Sequence, residues 1–356
     1  MKGLILSGGF GRRLRPLTYS GAKQLIPVAN EPIIFYGINA LVTTGIQELG
    51  IVVGETAEEV KQVVGTGERW GIKITYIQQE APLGLAHAIQ ISKSFLKDEP
   101  FVMYLGDNIL KEGINDFVKQ FKKTQPHALI LLTEVPNPQD FGVAVINNEG
   151  TVQKLIEKPE KPPSNLALVG VYLFNKEIFT AIEHIKPSWR NELEITDAIQ
   201  WLLDSKFKVE SHMVKGWWKD TGKPDDIIEA NLLVLEGIKS QNKATCTDSS
   251  VNGRIRAGTG TVIKKSIVRG PAVIGKNTKI IHSYIGPFSS IGNNVNIENS
   301  EIECSVIMEG STIKNVEKRI DRSIVGKNVI INVTAQSPHT HKFLLGDQSH
   351  LEIAKH

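Results

Sequence analysis

Cysteine is almost missing from this chain: Cys246 and Cys304 are the only two in 356 residues. That excludes a disulfide framework and suits a reducing, cytoplasmic home. Long apolar runs are missing too. No stretch approaches the roughly 18 apolar residues of a membrane span, so no membrane partner is expected. Residues 1–7 read as a strand rather than a signal peptide, because no apolar segment continues after them. Excess charge of one sign is also lacking. Basic residues number 41 against 38 acidic ones, a net +3 with no basic block or stripe. A nucleic-acid binder would show such a stripe, so nucleic acid is not an expected partner. What remains is a chain long enough for two domains, each with its own core.

Two patterns divide it. Up to about residue 236, short apolar runs alternate with helical periodicities. Strands are expected at Gly3–Leu6, Leu49–Val53, Ile72–Tyr76, Phe101–Tyr104, Ala128–Leu132, Gly142–Ile146 and Gly170–Phe174. Helices are expected over Ile33–Thr44, Ala57–Val64, Gly84–Ser94, Gly113–Thr124, Lys176–His184, Glu194–Asp204 and Pro224–Ile238. This alternation predicts an α/β fold, a mostly parallel sheet covered on both faces, with ligands at the carboxyl ends of its strands. After about residue 244, branched residues recur every six, occasionally five, positions: Val262, Val268, Ile274, Ile280, Ile285, Ile291, Ile297, Ile302, Ile307 and Ile313. That period predicts a parallel β-helix of triangular coils, each side turning one branched residue into a central stack. The expected organisation is a catalytic domain over 1–240, a β-helix over 245–335 and a tail over 336–356. The tail histidines His339, His341, His350 and His356 lack the spacing that would specify a metal site.

The segment after the first strand is dense in glycine and cation: Gly8, Gly9, Gly11, Arg12, Arg13 and Arg15, with Lys23 a short loop later. Glycines let backbone N–H groups face an anion, and fixed cations strengthen the attraction. A dinucleotide fingerprint would need glycine where Leu14 stands, and no GK[ST] follows for a Walker loop. A phosphate-rich ligand, such as a triphosphate, fits the pattern. Asp107 closes an apolar strand, where a carboxylate can hold Mg²⁺ against phosphates or make an Asx turn. Asp220 is a second such carboxylate or a helix cap. Glu157 can accept from sugar hydroxyls and Lys158 can neutralise a phosphate, although a Glu-Lys-Pro triplet also suits a surface turn. Trp217 and Trp218 are core or pocket residues.

The motifs GGFGRRLRPLT, AKQLIPVANEP, QQEAPLGLAHA, YLGDN, FGVAV, IEKPE, VGVY, NELEITD and WWKDTG occur in that order between residues 8 and 222. Together they resemble the sugar-1-phosphate nucleotidylyltransferases, and within them the long-form glucose-1-phosphate thymidylyltransferases, which carry a C-terminal left-handed β-helix behind a Rossmann-like mixed sheet. The resemblance implies a Mg²⁺-dependent reaction of dTTP with glucose 1-phosphate, giving dTDP-glucose and pyrophosphate, a first step toward dTDP-deoxysugars. It places Gly8, Gly9, Gly11 and Arg13 on phosphates and Lys23 at the reacting phosphate. It also places Gln24 and Gln79 on the thymine edge, Gly84 near the base, and Asp107 and Asp220 on the metal. Asn108, Phe141, Gly142, Glu157, Lys158, Gly170, Tyr172 and Trp218 fall on the sugar side, with Arg190 and Glu194 organising that pocket. Arg13, Lys23 and Lys158 carry the catalytic charge. Arg12 stands where the family has threonine, Phe141 where many members have tyrosine, and Asn191 where glycine is usual. The family also implies a homo-oligomer. The alternatives are a UTP-using or dual-specificity enzyme, a bifunctional enzyme with His282 as an acyltransfer base on the β-helix, and a non-catalytic sugar-nucleotide sensor.

Overall fold

The computed structural model describes residues 1–9, 11–19, 21–333, 343 and 345–353. They form two compact units interleaved in sequence. The first comprises Met1–Phe10, Ala22–Leu25 and Ile33–Asp220; the second comprises Gly11–Gly21, Ile26–Pro32 and Thr221–His356. Most of the tail, including His339, His341 and His356, lies outside the described residues. His350 is described and bonds Glu352 at 3.0 Å.

The first unit is built on a nine-stranded sheet. Strands Lys2–Ser7, Glu48–Val53, Lys73–Gln78 and Phe101–Leu105 run parallel, with Lys2–Ser7 between Glu48–Val53 and Phe101–Leu105. Alternation along one strand decides which core each residue enters. Leu4 and Leu6 join the layer under helices Leu85–Ile91, Glu177–His184 and Ile195–Asp204. Ile5 joins the layer under Ile33–Val42, Ala57–Val64 and Asn115–Thr124. A sheet buried on both faces needs the continuous apolar runs that made these strands readable.

The mixed half of the sheet departs from the expected segments. The strand expected from Gly170 begins at Leu166, and all nine of its residues are buried. It runs antiparallel to both Phe101–Leu105 and Ala128–Glu134, and its register slips between Leu168 and Tyr172. Gly170 sits in that slip, where a Cβ would come within 2.6 Å of Leu105 and 2.7 Å of the Asn108 side-chain oxygen. A strand glycine that admits a close neighbour at a bulge reads in sequence as a strand start. Two further strands, Val152–Glu157 and Val209–Met213, were not expected. Their sequences VQKLIE and VESHM are too polar to show as apolar runs.

The second unit carries three parallel sheets of six, six and five short strands, the arrangement of a left-handed β-helix. Three ladders fill its centre. One runs Ile263, Ile280, Ile297, Ile313, Ile331. Another runs Val268, Ile285, Ile302, Ile320, and the third Ala257, Ile274, Ile291, Ile307, Val325. One position needs correcting: Ile263, not Val262, points inward, and Val262 is half-buried. The step from Ile263 to Val268 is one of the five-residue steps, so a six-residue step counted back from Val268 lands one residue early. Corners recur in register. Asp248, Lys265, His282, Asn299 and Asn315 all hold positive φ, as do Gly260, Asn277, Asn294, Gly310 and Asn328. Glycine and asparagine tolerate that region best. Buried hydroxyls serve the coils beside them: Thr261 Oγ1 donates to Gly275 O at 2.6 Å and Thr278 Oγ1 to Gly292 O at 2.8 Å.

The same unit holds the turn at Ala29–Asn30, both residues at positive φ. Ala29 N–H donates to Asn231 Oδ1 at 2.8 Å, Arg256 donates to Ala29 O at 2.8 Å, and Asn30 Nδ2 donates to Ile291 O. Ala29 packs with Leu235, Ile238 and Val273. Among the described residues no helix is long and apolar enough to cross a membrane.

Candidate active site

In the first unit a single-turn helix, Lys23–Leu25, buries Lys23 and Gln24. The loop that leads into it is fixed by Ala22 N–H donating to Glu59 at 2.9 Å. Asp107 follows strand Phe101–Leu105, and the next strand, Asn108–Leu110, pairs antiparallel with Trp218–Asp220. That pairing sets Asp220 opposite Asn108, which brings the second carboxylate alongside the first. The Lys23 ammonium ion-pairs with Asp107 and lies 4.0 Å from Asp220 Oδ1. Burial alone would push the Asp107 carboxyl up. The Lys23 charge and the hydrogen bonds from Lys23 and Asn108 outweigh it and hold Asp107 below the usual carboxylate range.

Asn108 is the hub of this corner. Its Oδ1 accepts from Trp218 Nε1 at 2.6 Å and from Gly170 N–H at 3.2 Å, while its Nδ2 donates to Asp107 at 2.9 Å. With its oxygen filled by two protein donors, Asn108 organises Trp218 and Gly170 more than it reaches outward. Phe141 meets Trp218 edge to face, ring centroids 5.3 Å apart. Its carbonyl accepts from Lys158 N–H at 3.1 Å.

Glu157 sits in a second cluster. Thr196 Oγ1 donates to Glu157 at 3.1 Å, and Arg190 reaches Glu157 at 3.5 Å, Glu192 at 3.0 Å and Glu194 at 3.4 Å. Burial first, and the Glu194 charge second, raise the Glu157 carboxyl above its ordinary range. Gly142 is tight here: a Cβ would come 2.7 Å from Thr196 and 3.1 Å from the Glu157 carboxylate. Tyr172 is buried on this side of the sheet, stacked on Phe174 at 5.9 Å, and burial pushes its phenol up.

A third group lies at the ends of the parallel strands. Gly8 packs backbone to backbone on Gly54, and a Cβ at Gly8 would meet Gln79 Oε1 at 2.9 Å. Gln79 Nε2 contacts His87 Nδ1 at 3.0 Å and Gly84 O at 3.5 Å. Gly84 has φ +105°, and the Leu193 backbone occupies the place of a side chain, so the fold itself requires glycine there. Gly9 has open space around it.

Gly11 and Arg13 fall in the second unit, where Gly11 at φ 59° starts the turn Arg12–Leu14. Arg12 and Arg13 are exposed and Leu14 is buried. Arg15 lies over the Tyr19 ring at 4.8 Å. His282 occupies a β-helix corner equivalent to Lys265 and Asn299, and these line an open groove with Tyr284 and Glu301. Sequence reasoning missed Glu59, His87, Glu192 and Thr196. Of these, His87 stands inside the QQEAPLGLAHA motif already noted, and Glu192 and Thr196 inside NELEITD.

Residues 2–237 match the nucleotidyl transferase family. A glucose-1-phosphate thymidylyltransferase of Streptomyces griseus is 46% identical over 99% of this chain and 100% of its own length. The low-salt glycan biosynthesis nucleotidyltransferase Agl11 of Haloferax volcanii is 48% identical over 99% of this chain and 100% of its own. A Bacillus anthracis structure assigned as a glucose-1-phosphate thymidylyltransferase, in complex with a sucrose, superposes with a TM-score of 0.63. It is 35% identical and covers 68% of this chain and 98% of its own. The strand order, the paired aspartates and the matched residues together make this chain a member of the nucleotidyl transferase family.

Proposed function

We infer that the chain transfers a thymidylyl group from dTTP to α-D-glucose 1-phosphate, giving dTDP-glucose and pyrophosphate. The observation that carries this is the convergence of Lys23, Asp107 and Asp220 on one corner at strand ends, with full-length likeness to thymidylyltransferases in support. Among the described residues no group of three or more His, Cys, Asp or Glu is placed to hold a metal. Two carboxylates fit Mg²⁺ nonetheless, because it takes one or two carboxylates and completes its shell with water and substrate phosphates. Asp107 and Asp220 would hold it, and it would supply phosphate orientation and polarisation of the α-phosphate.

The protein's own groups account for the rest. Gln24 Oε1 is buried with no hydrogen-bond partner among the described residues. An orphaned acceptor suits a ligand N–H, and the imino group of a thymine or uracil provides one. Gln79 is assigned to the same base edge. Gly8, Gly9, Gly11 and Arg13 are assigned to the triphosphate and Lys23 to the reacting phosphate. Glu157 accepts from sugar hydroxyls, while Lys158 draws in the sugar phosphate and reduces repulsion between two anions. The sugar phosphate oxygen attacks the α-phosphorus as the bond to pyrophosphate breaks. The nucleophile is already an anion at neutral pH, so positioning and charge neutralisation suffice without a general base. The reading places the reaction in the cytoplasm, in a homo-oligomer whose catalytic domain covers 1–240 and whose β-helix, residues 245–335, serves assembly or regulation.

Product analysis with a panel of nucleoside triphosphates and sugar 1-phosphates, with and without Mg²⁺, tests this. The expected result is Mg²⁺-dependent dTDP-glucose formed faster than any UDP-sugar. A clear preference for UTP would move the assignment to a uridylyltransferase, and absence of any sugar nucleotide would overturn it.

A further inference from the structure

Gln79 is buried, and its amide can face two ways. The hydrogen bonds of its side chain run from Nε2, to His87 Nδ1 at 3.0 Å and Gly84 O at 3.5 Å, and Oε1 is turned toward Gly8. Gly84 O is an acceptor whatever the conditions, but 3.5 Å is the limit of a hydrogen bond. The shorter contact, to His87, therefore sets the amide. Resting on the function inferred above, we propose that His87 is a positioning residue for nucleobase selection. By accepting from Gln79 Nε2 it commits the Gln79 carbonyl oxygen to the ligand side, so the pocket selects a base that presents an N–H and rejects one that presents a lone pair at the same place.

The chemistry of the imidazole agrees. Burial lowers the His87 pKa from the ordinary histidine value, which favours the neutral ring. A neutral ring with its proton on Nε2 leaves Nδ1 as the acceptor that Gln79 Nε2 requires. His87 lies on helix Leu85–Ile91, half-buried, and its neighbours Ala86 and Ala88 are buried, so the ring is carried on a fixed element. Thymine and uracil bear an imino N–H at the position where cytosine bears a lone pair. The substitution that removes the acceptor thus frees the amide to turn and weakens the distinction between these bases.

The test uses the full-length protein with dTTP, UTP and dCTP, each with glucose 1-phosphate and Mg²⁺. Wild type must first use dTTP or UTP in preference to dCTP. If it uses neither, the assigned function fails and this proposal fails with it. Given that preference, His87→Leu should raise KM for dTTP by about ten- to a hundredfold with little change in kcat, and the preference over dCTP should narrow by a similar factor. His87→Gln, which keeps an acceptor oxygen, should restore most of the preference. His87→Met offers the same test should the leucine variant not fold. The proposal is overturned if the leucine or methionine variant keeps the wild-type preference, or if kcat falls alike for every nucleotide. It is also overturned if glutamine rescues nothing.

Discussion

Asn108 receives two protein N–H groups on one oxygen and gives a hydrogen bond to Asp107. Asn108→Ala should therefore strand the Trp218 and Gly170 donors, at about 1–3 kcal/mol for each one left buried without a partner. A fall of that size in the unfolding free energy read from a denaturant titration, with Asn108→Asp less affected in stability yet impaired in turnover, is the expected result. An alanine variant as stable as wild type would contradict the hub role. Glu157 supplies a pH prediction. Burial and Glu194 raise its carboxyl, so it takes up a proton at a higher pH than an ordinary glutamate. A protonated Glu157 is a poorer acceptor for sugar hydroxyls, so KM for the sugar phosphate should climb on the acid side before ordinary carboxylates titrate. Glu157→Gln should flatten that limb. For stability the sign is reversed: the fold favours the protonated form. The contribution is fully present below the unfolded carboxylate range and is lost as pH rises through the raised value. In the sequence, Asp107, Asp220 and Lys23 stood out through the motifs YLGDN, WWKDTG and AKQLIPVANEP, because by position alone each aspartate could also have made a turn or a cap. His87 and Thr196 did not, because one histidine or threonine on a helix usually packs or caps, and only the partner across the fold gives it a role.

Elements buried on both faces declared themselves as apolar runs, as Ile51–Val53 and Val102–Tyr104 do. Val152–Glu157 and Val209–Met213 did not, because half-buried strands tolerate charge on the open face. The hexapeptide step showed the β-helix, but the hydroxyl contacts that serve its corners left no periodic apolar mark. A substitution within a ladder separates burial from position. Ile297 is fully buried between Ile280 and Ile313, so Ile297→Ala should cost about 2–5 kcal/mol. Ile330 is 76% exposed, and alanine there should change stability by less than about 0.5 kcal/mol. Thermal unfolding of the two variants checks this, and equal losses would disprove the inward register.

At the scale of the molecule, composition changes near residue 240, yet the second unit reaches back to claim Gly11–Gly21 and Ile26–Pro32. A chain ending at residue 240 would keep Asn231 but lose Arg256 and Ile291 as partners of the Ala29–Asn30 turn. It should melt at a lower temperature than the full chain and bind nucleotide more weakly. Calorimetry with dTTP would show it, and unchanged melting with unchanged binding would mean the turn holds its shape unaided. The pairing of Asn30 with Ile291 spans 261 residues, and this has a consequence for synthesis. The ribosome makes the Ala29–Asn30 turn within the first few dozen residues, but the coils that fix it through Arg256 and Ile291 emerge late in translation. The turn must wait, unfixed, through most of the chain's production, and it can settle only once the later coils have formed.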